Sequence, residues 1–156
     1  MRVPDFIIGG TLPSGTGHLY LLLGQHPNVW LAKPMQPECN FFAKSWEFEK
    51  GVEYYFHRWF ADAPSSAVIG ERSSLALSSD EAPSRIASTL PSVKLVFLLR
   101  NPVDRAYANY RFTALAGYED LTFEEALEAE GERALAAQRE GGIWREIRPY
   151  AYAVSY

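Results

Sequence analysis

The amino-acid sequence predicts an α/β fold in which helices flank a central parallel sheet. Short apolar runs alternate along the chain with stretches of helical spacing, which is the pattern of strands joined by crossover helices. The run VKLVFLL at 93–99 is apolar apart from Lys94, as in a strand covered on both faces. The glycine-rich segment GTLPSGTG at 10–17 lies between the first apolar run and the first helical stretch, so the chain is expected to open with a strand, a loop and a helix.

In the first half of the chain, the elements are predicted from apolar runs and their spacing. DFIIGG at 5–10 and NVWLA at 28–32 have the length of strands, and the leucines of 16–25 favour a helix between them. Aromatic residues recur at helical spacing over 45–61, which predicts one continuous helix despite Gly51.

In the second half, turn and capping residues help to place the elements. AVIGE at 67–71 predicts a strand, and residues 80–90 predict a helix with Asp80 as its N-cap. After the strand at 93–99, Asn101 is expected to cap a helix whose first residue is Pro102, because the N–H that proline lacks has no helical partner there.

The last predicted element begins at a capping-box pattern formed by Thr122 and Glu125, and it extends to about Glu140. The aromatic tail at 143–156 carries no signal that ends a helix. We therefore expect one domain, residues 1–156, that lacks the last third of its fold.

Composition limits the function classes. The chain has 156 residues, of which 47% are hydrophobic and 14% aromatic, so it can bury a core and is not disordered. Its formal net charge of -4 disfavours a nucleic-acid partner, which normally requires a basic surface. A small anionic ligand is compatible with this charge, because a binding pocket depends on local charge only.

Cysteine and histidine usage excludes two kinds of site. Cys39 is the single cysteine, so no disulfide forms within the chain and no thiolate metal site is expected. The three histidines (His18, His26 and His57) lack the spacing of metal ligands. The first apolar run is too short for a signal peptide or a membrane span, so we expect a cytoplasmic protein; the oligomeric state is not predicted.

The glycine-rich loop resembles the first half of a Walker A loop, because Gly10 and Gly15 stand five residues apart. Thr16 occupies the place of the Walker lysine and Gly17 that of the magnesium-binding hydroxyl, which disfavours a P-loop kinase. The loop can still bind an anion through backbone N–H groups, a helix N-terminus and the hydroxyls of Ser14 and Thr16. An ordinary strand-to-helix turn is the alternative interpretation.

A second basic element follows the strand at 93–99. Arg100 comes directly after this strand, at the carboxyl end where open α/β sheets bind ligands, and its guanidinium suits a phosphate. It can instead cap a neighbouring helix. Arg105 and Arg111 are weaker candidates, and Arg105 has a structural role or is a solvated helix charge.

Four segments, in order, resemble the sulfotransferases that use 3′-phosphoadenosine 5′-phosphosulfate (PAPS), in the branch of the heparan sulfate glucosaminyl enzymes and their bacterial relatives. They are FIIGGTLPSGTGHLYLLLGQHP at 6–27, PECNFF at 37–42, GERSS at 70–74 and RNPVDRAYANY at 100–110. The resemblance implies a P-loop-like sulfotransferase fold, of which this chain holds a part.

The resemblance also implies roles for individual residues. Glu38 is similar to the catalytic glutamate that takes the proton of the acceptor. Arg100 would hold the 3′-phosphate, with Asn109 as a further donor. The phosphosulfate would be held by the loop residues Ser14, Gly15, Thr16, Gly17 and His18.

The chain departs from the family pattern at the positions that bind phosphate. Pro13 stands where the family has its loop lysine, and Ala108 where it has a serine. Lys33 and Arg72, each of which follows a predicted strand, are the first candidates to supply the missing charge or to bind an anionic acceptor. Either can equally be a surface charge.

The resemblance therefore predicts sulfonate transfer from PAPS, as co-substrate and without a metal, to an acceptor hydroxyl or amine on a carbohydrate or glycolipid. Because of Pro13 and Ala108, a catalytically impaired relative that binds a nucleotide or a glycan stays open as the alternative, and a P-loop kinase is the weaker one.

Overall fold

A computed structural model describes residues 2–140 of the protein, and it contains a four-stranded parallel sheet. The strand order is β2-β3-β1-β4, with helices between successive strands, and this confirms the predicted fold class. The strands are β1 (Phe6–Gly10), β2 (Val29–Leu31), β3 (Val68–Arg72) and β4 (Lys94–Leu98).

Six α-helices and one 3₁₀ turn accompany the strands in the described part of the chain. At the start of the last two helices, the Asn101 side chain accepts hydrogen bonds from the second and third residues of its helix, and Thr122 and Glu125 form the predicted capping box. The helices are α1 (Thr16–Leu23), α2 (Ser45–Phe48), α3 (Val52–Phe60), α4 (Ala82–Thr89), α5 (Pro102–Leu115) and α6 (Phe123–Glu140), and the 3₁₀ turn is Ser74–Leu77.

The prediction of a single helix over 45–61 is wrong, because the segment forms two separate helices, α2 and α3. Gly51 has a φ of 86°, in the left-handed region that glycine adopts without a steric penalty. The aromatic spacing continues across this break, so a pattern of apolar residues alone does not reveal it.

The predicted N-cap of α4 is also wrong. The helix begins at Ala82, two residues after Asp80, and its first N–H donates to the hydroxyl oxygen of Ser79 at 3.2 Å. The N-cap position is occupied by Glu81, whose side chain makes no capping hydrogen bond, so the preference of aspartate for this position does not decide where the helix begins.

Strand β4 lies at the edge of the sheet and is not covered on both faces as predicted. It pairs with β1, and its side chains Leu95 and Phe97 are 45% and 40% exposed. An apolar run shows that a strand can be buried, whereas the position of the strand in the sheet decides how much of it is covered.

The chain forms two compact units, each with its own contacts. The first comprises the chain up to Gly10 together with Gly15–Leu98, and it contains the whole sheet. Its core combines Ile8, Tyr20 and Leu31 with packed aromatic rings, among which Phe41 stacks on Tyr55 at a centroid distance of 4.6 Å.

The second unit comprises Thr11–Ser14 and the chain from Leu99 onward. Within it, α5 and α6 pack through the buried residues Ala106 and Ala126, with partly buried aromatic rings around them. The expectation of one domain over 1–156 stays a prediction, and the aromatic tail at 143–156 lies outside the described residues.

Candidate active site

The glycine-rich loop joins β1 to α1, as predicted. Gly15 precedes the helix with a φ of 94°, a conformation that a side chain would strain. Thr16 opens α1 and is buried, whereas His18, on the first turn of the helix, is exposed. The free N–H groups of this first turn make the N-terminal end of α1 suitable for binding an anion.

The earlier part of the same loop, Thr11–Ser14, belongs to the second unit. There the hydroxyl oxygens of Thr11 and Ser14 are buried and have no hydrogen-bond partner within the described part of the chain. A buried unpaired hydroxyl is costly, so nearly all such groups in folded proteins have a partner. The two hydroxyls therefore fit a site whose ligand carries acceptor oxygens, as a phosphosulfate does.

The two predicted loops follow neighbouring strands. Strands β1 and β4 are parallel, and Gly10 pairs with Leu98 at their carboxyl ends. In the second unit, Nη1 of Arg100 donates to the backbone oxygen of Pro13 at 3.4 Å. The two segments therefore begin at the carboxyl ends of paired strands, and Arg100 contacts Pro13 within the second unit.

Two further residues of α5 were considered from sequence. Arg105 is fully buried and donates to the backbone oxygen of Leu12 at 3.5 Å, so it is not a solvated helix charge. Asn109 is partly buried, and its backbone oxygen accepts a hydrogen bond from Thr113 at 3.0 Å. Its role toward a 3′-phosphate stays a prediction.

Glu38 lies in the first unit and is held at both carboxylate oxygens. Oε1 forms an ion pair with Nη2 of Arg72 at 3.0 Å, and the side chains of Glu38 and Arg72 are only 10% and 7% exposed. Oε2 accepts from the Ser74 amide at 2.9 Å, from the Ser74 hydroxyl at 2.5 Å and from Nδ2 of Asn40 at 3.4 Å. Such a carboxylate is fixed in one orientation.

Arg72, the last residue of β3, links Glu38 to the start of α1. Its Nη2 also donates to the backbone oxygen of Met35 at 3.1 Å. A Cβ placed on Gly17 would lie 2.7 Å from Nη1 of Arg72, so the guanidinium occupies the space that a side chain at position 17 would need. Its Nε is buried and has no partner among residues 2–140, which leaves a donor for a ligand oxygen.

The structure distinguishes the two cations that the sequence ranked equally. Lys33, which follows β2, is exposed to solvent. Arg72 is buried beside Glu38 and Gly17.

A buried acidic residue, Glu71, was not identified from sequence. It is fully buried on β3, and it accepts hydrogen bonds from the hydroxyl of Ser73 at 2.6 Å and from the hydroxyl of Tyr55 at 3.4 Å. Burial raises the pKa of Glu71 to about 7, although hydrogen bonds from Ser73, Cys39 and Tyr55 act in the opposite direction. Its signal in the sequence is a carboxylate inside the apolar run that predicts β3.

Within residues 2–140, no group of three histidine, cysteine or acidic side chains is arranged to hold a metal ion. Over the same described stretch, none of the helices combines the length and apolar character needed to cross a membrane.

Comparison with known proteins reveals similarity to sulfotransferases. No model of a protein family matches the chain. It is 34% identical over 116 residues to the bifunctional heparan sulfate N-deacetylase/N-sulfotransferase 3 of Homo sapiens, a match that covers 70% of this chain and 13% of that protein. It is 32% identical over 144 residues to the corresponding enzyme 2 of Homo sapiens, with 86% of this chain and 16% of that protein covered.

A solved structure is also similar to this chain. The crystal structure of a sulfotransferase from Alicyclobacillus acidocaldarius superposes with a TM-score of 0.80 at 26% identity, over 99% of this chain and 65% of that one. The chain thus spans about two thirds of this structure and a small part of the curated relatives. With four parallel strands, a glycine-rich loop and both sets of relatives in agreement, the chain belongs to the sulfotransferase family.

Proposed function

We propose that the protein transfers a sulfonate group from PAPS to an amine or hydroxyl of a carbohydrate or glycolipid. The observation that carries this proposal is the ion pair of Glu38 with Arg72 at the carboxyl end of β3, with Arg72 against the first turn of α1. A positioned base, a cation and a helix N-terminus are the groups that sulfonate transfer needs from a protein.

Glu38 is the proposed catalytic base. Its Oε2 accepts three hydrogen bonds, whereas Oε1 lies 3.0 Å from Nη2 of Arg72 in an ion pair, so Oε1 has a lone pair for an incoming proton. As the bond from sulfur to the acceptor atom forms, the bond from sulfur to the 5′-phosphate oxygen breaks. The acceptor proton moves to Oε1, and 3′-phosphoadenosine 5′-phosphate leaves with the electron pair.

Arg72 is proposed to replace the lysine that the loop lacks at Pro13. Its guanidinium lies against Gly17, so the absence of a side chain at position 17 makes room for it. Its unpaired Nε and the N–H groups of α1 would stabilise negative charge on the leaving phosphate. This arrangement favours an active enzyme over the catalytically impaired alternative.

The donor would be held by residues of both loops. The backbone and hydroxyls of Ser14 and Thr16 suit the phosphosulfate, and Arg100 suits the 3′-phosphate because a guanidinium offers two parallel donors. Gly15, Gly17 and His18 are proposed to contribute through their backbone N–H groups. Asn109 is proposed as a further donor on α5.

The acceptor is proposed to be a glycan, because the relatives act on heparan sulfate according to their names. Those names specify N-sulfotransfer, which favours an amine over a hydroxyl within the predicted acceptor class. The expected cytoplasmic location stays a prediction, and the oligomeric state is not assigned.

The proposal is tested by calorimetric titration of the purified chain with 3′-phosphoadenosine 5′-phosphate, with ATP and magnesium as the comparison. We expect micromolar binding of the former and a loss of about tenfold or more in Arg100→Ala, since hydrogen bonds to charged groups each contribute roughly 1.5–3 kcal/mol. Arg58→Ala, which removes an exposed arginine from α3, is the matched control and should bind as the parent chain does.

Binding of magnesium–ATP in preference to the adenosine bisphosphate would contradict the proposal and favour a kinase. Binding of the bisphosphate without transfer to any amine- or hydroxyl-bearing glycan would support the impaired relative instead. Binding together with transfer that depends on Glu38 would support the proposed enzyme.

A further inference from the structure

A continuous chain of hydrogen bonds connects the buried carboxylate of Glu71 with Glu38. The Ser73 hydroxyl donates to Oε2 of Glu71 at 2.6 Å, and the same oxygen of Ser73 accepts from the backbone N–H of Asn40 at 2.9 Å. Asn40 in turn donates from Nδ2 to Oε2 of Glu38 at 3.4 Å. All four residues belong to the first unit, and none of the bonds reaches outside it.

Each link in this chain has a defined direction. A serine hydroxyl has one proton, so Ser73 can accept from the Asn40 amide with a fixed lone pair only while its own proton has a partner. Glu71 is that partner. Asn40 is held in addition at φ 45°, an uncommon conformation for a residue other than glycine, and its Oδ1 accepts from the Leu75 amide at 3.1 Å.

A second route from Glu71 to Glu38 runs along the backbone. Ser74, the neighbour of Ser73, donates both its amide and its hydroxyl to Oε2 of Glu38. The bond between Ser73 and Glu71 therefore also fixes the residue that makes the shortest contacts with the proposed base.

We propose that Glu71 is a positioning residue that sets the orientation of Glu38 through Ser73, Asn40 and Ser74. This inference rests on the proposed role of Glu38 as the base. Glu71 itself does not touch the substrate, because its side chain is fully buried. It acts by holding two donors at the oxygen of Glu38 that does not receive the proton.

The surroundings of Glu71 make its charge sensitive to pH. Tyr55 from α3, Cys39 and Ser73 donate to it, and the nearby Glu38 carboxylate opposes its ionisation. Burial is the largest effect and leaves the pKa of Glu71 at about 7. Protonation of Glu71 near neutral pH therefore changes how many lone pairs its carboxyl oxygens offer to the hydroxyls of Ser73 and Tyr55.

The inference is tested with Glu71→Gln, Ser73→Ala and the double variant. NMR of the full chain reports on the Ser74 backbone amide and the Asn40 side-chain amide, which are the two N–H donors to Oε2 of Glu38. We expect both signals to titrate near pH 7 in the parent chain, and to shift and lose that step in Glu71→Gln. This readout does not require activity, so it separates this inference from the proposed function, which nucleotide binding tests.

Kinetics supply the second readout. We expect kcat to fall on the order of 10- to 100-fold in Glu71→Gln, with the KM for PAPS unchanged, because a misplaced catalytic group costs rate more than donor binding. Ser73→Ala should cause a similar loss, and the double variant no more than either, since the two residues act in series. Glu119→Gln, which changes a buried glutamate of the second unit that pairs with Arg133, controls for general loss of stability.

The inference is overturned if the Ser74 and Asn40 signals keep their positions and titration in Glu71→Gln. It is also overturned if the losses in the two single variants add in the double variant, or if Glu119→Gln lowers kcat as much. Should Glu71→Gln fail to fold, Ser73→Ala gives the same test, because it breaks the link to Asn40 and leaves Glu71 in place.

Discussion

Two arginines at or just beyond the carboxyl ends of strands have opposite environments. Arg72 is buried in the first unit, where it pairs with Glu38 and donates to Met35. Arg100 is exposed in the second unit, where it donates to the backbone oxygen of Pro13 at 3.4 Å. The base and its cation are held by the protein itself, whereas the residue proposed for the 3′-phosphate is accessible to a ligand.

The difference matches the two proposed roles, in which Arg72 supports the chemical step and Arg100 binds the donor. A base must be oriented before the acceptor arrives, because preorganisation is what accelerates the chemical step. A phosphate-binding arginine, by contrast, must be accessible to its ligand. The same substitution should therefore have different consequences at positions 72 and 100.

The largest expected effect is on catalysis. Glu38→Gln keeps the shape of the side chain but removes the base, so the rate of sulfonate transfer should fall by about 10²–10⁴-fold. Binding of 3′-phosphoadenosine 5′-phosphate, measured by calorimetry, should remain within about twofold because this nucleotide lacks the transferred group. A Glu38→Gln enzyme that retains full turnover would assign the base to another residue.

The next effect is on stability. Arg72→Met leaves the buried Glu38 carboxylate without its cation, which should lower the free energy of unfolding by about 3–5 kcal/mol. Urea unfolding of Arg72→Met and of the double variant Arg72→Met/Glu38→Gln makes the comparison. The double variant should recover a large part of the loss, since it removes the unpaired charge; an equal loss in both would mean that packing of Arg72 matters more than its charge.

Ionisation of Glu71 is expected to lower the free energy of unfolding by a similar amount. Its pKa is raised from 4.5 to about 7, so the stability that depends on its protonation is present below pH 4.5 and is lost as the pH rises to about 7. The parent chain should lose about 3 kcal/mol relative to Glu71→Gln over this interval. Urea unfolding at several pH values measures the difference, and parallel pH curves for the two proteins would contradict it.

The smallest effect is expected for Arg100→Ala. Substitution of this exposed residue should change the free energy of unfolding by no more than about 0.5 kcal/mol, in contrast to Arg72→Met. Thermal unfolding of the two variants side by side tests the contrast directly. If Arg100→Ala destabilises the chain as much as Arg72→Met does, then Arg100 is a structural residue, and its proposed role in donor binding loses its basis.

Several features could be read from local sequence. The strands, the glycine-rich loop and the two caps at Asn101 and Thr122 follow from apolar runs and side-chain chemistry within a few residues. Ordered motifs were sufficient to predict the family. The helix break at Gly51 and the start of α4 were predicted wrongly, because aromatic spacing continues across Gly51 and because Glu81 rather than Asp80 occupies the N-cap position.

The sequence by itself determined the fold class and the family, because both depend on residues that are close together along the chain. Only the tertiary structure decided that Arg72, rather than Lys33, meets Glu38, and that Gly17 leaves space for its guanidinium. These contacts join residues more than thirty positions apart, and they depend on strand order and burial. The raised pKa of Glu71 has the same origin, since a carboxylate on a strand is costly to ionise only once the folded chain has excluded water around it.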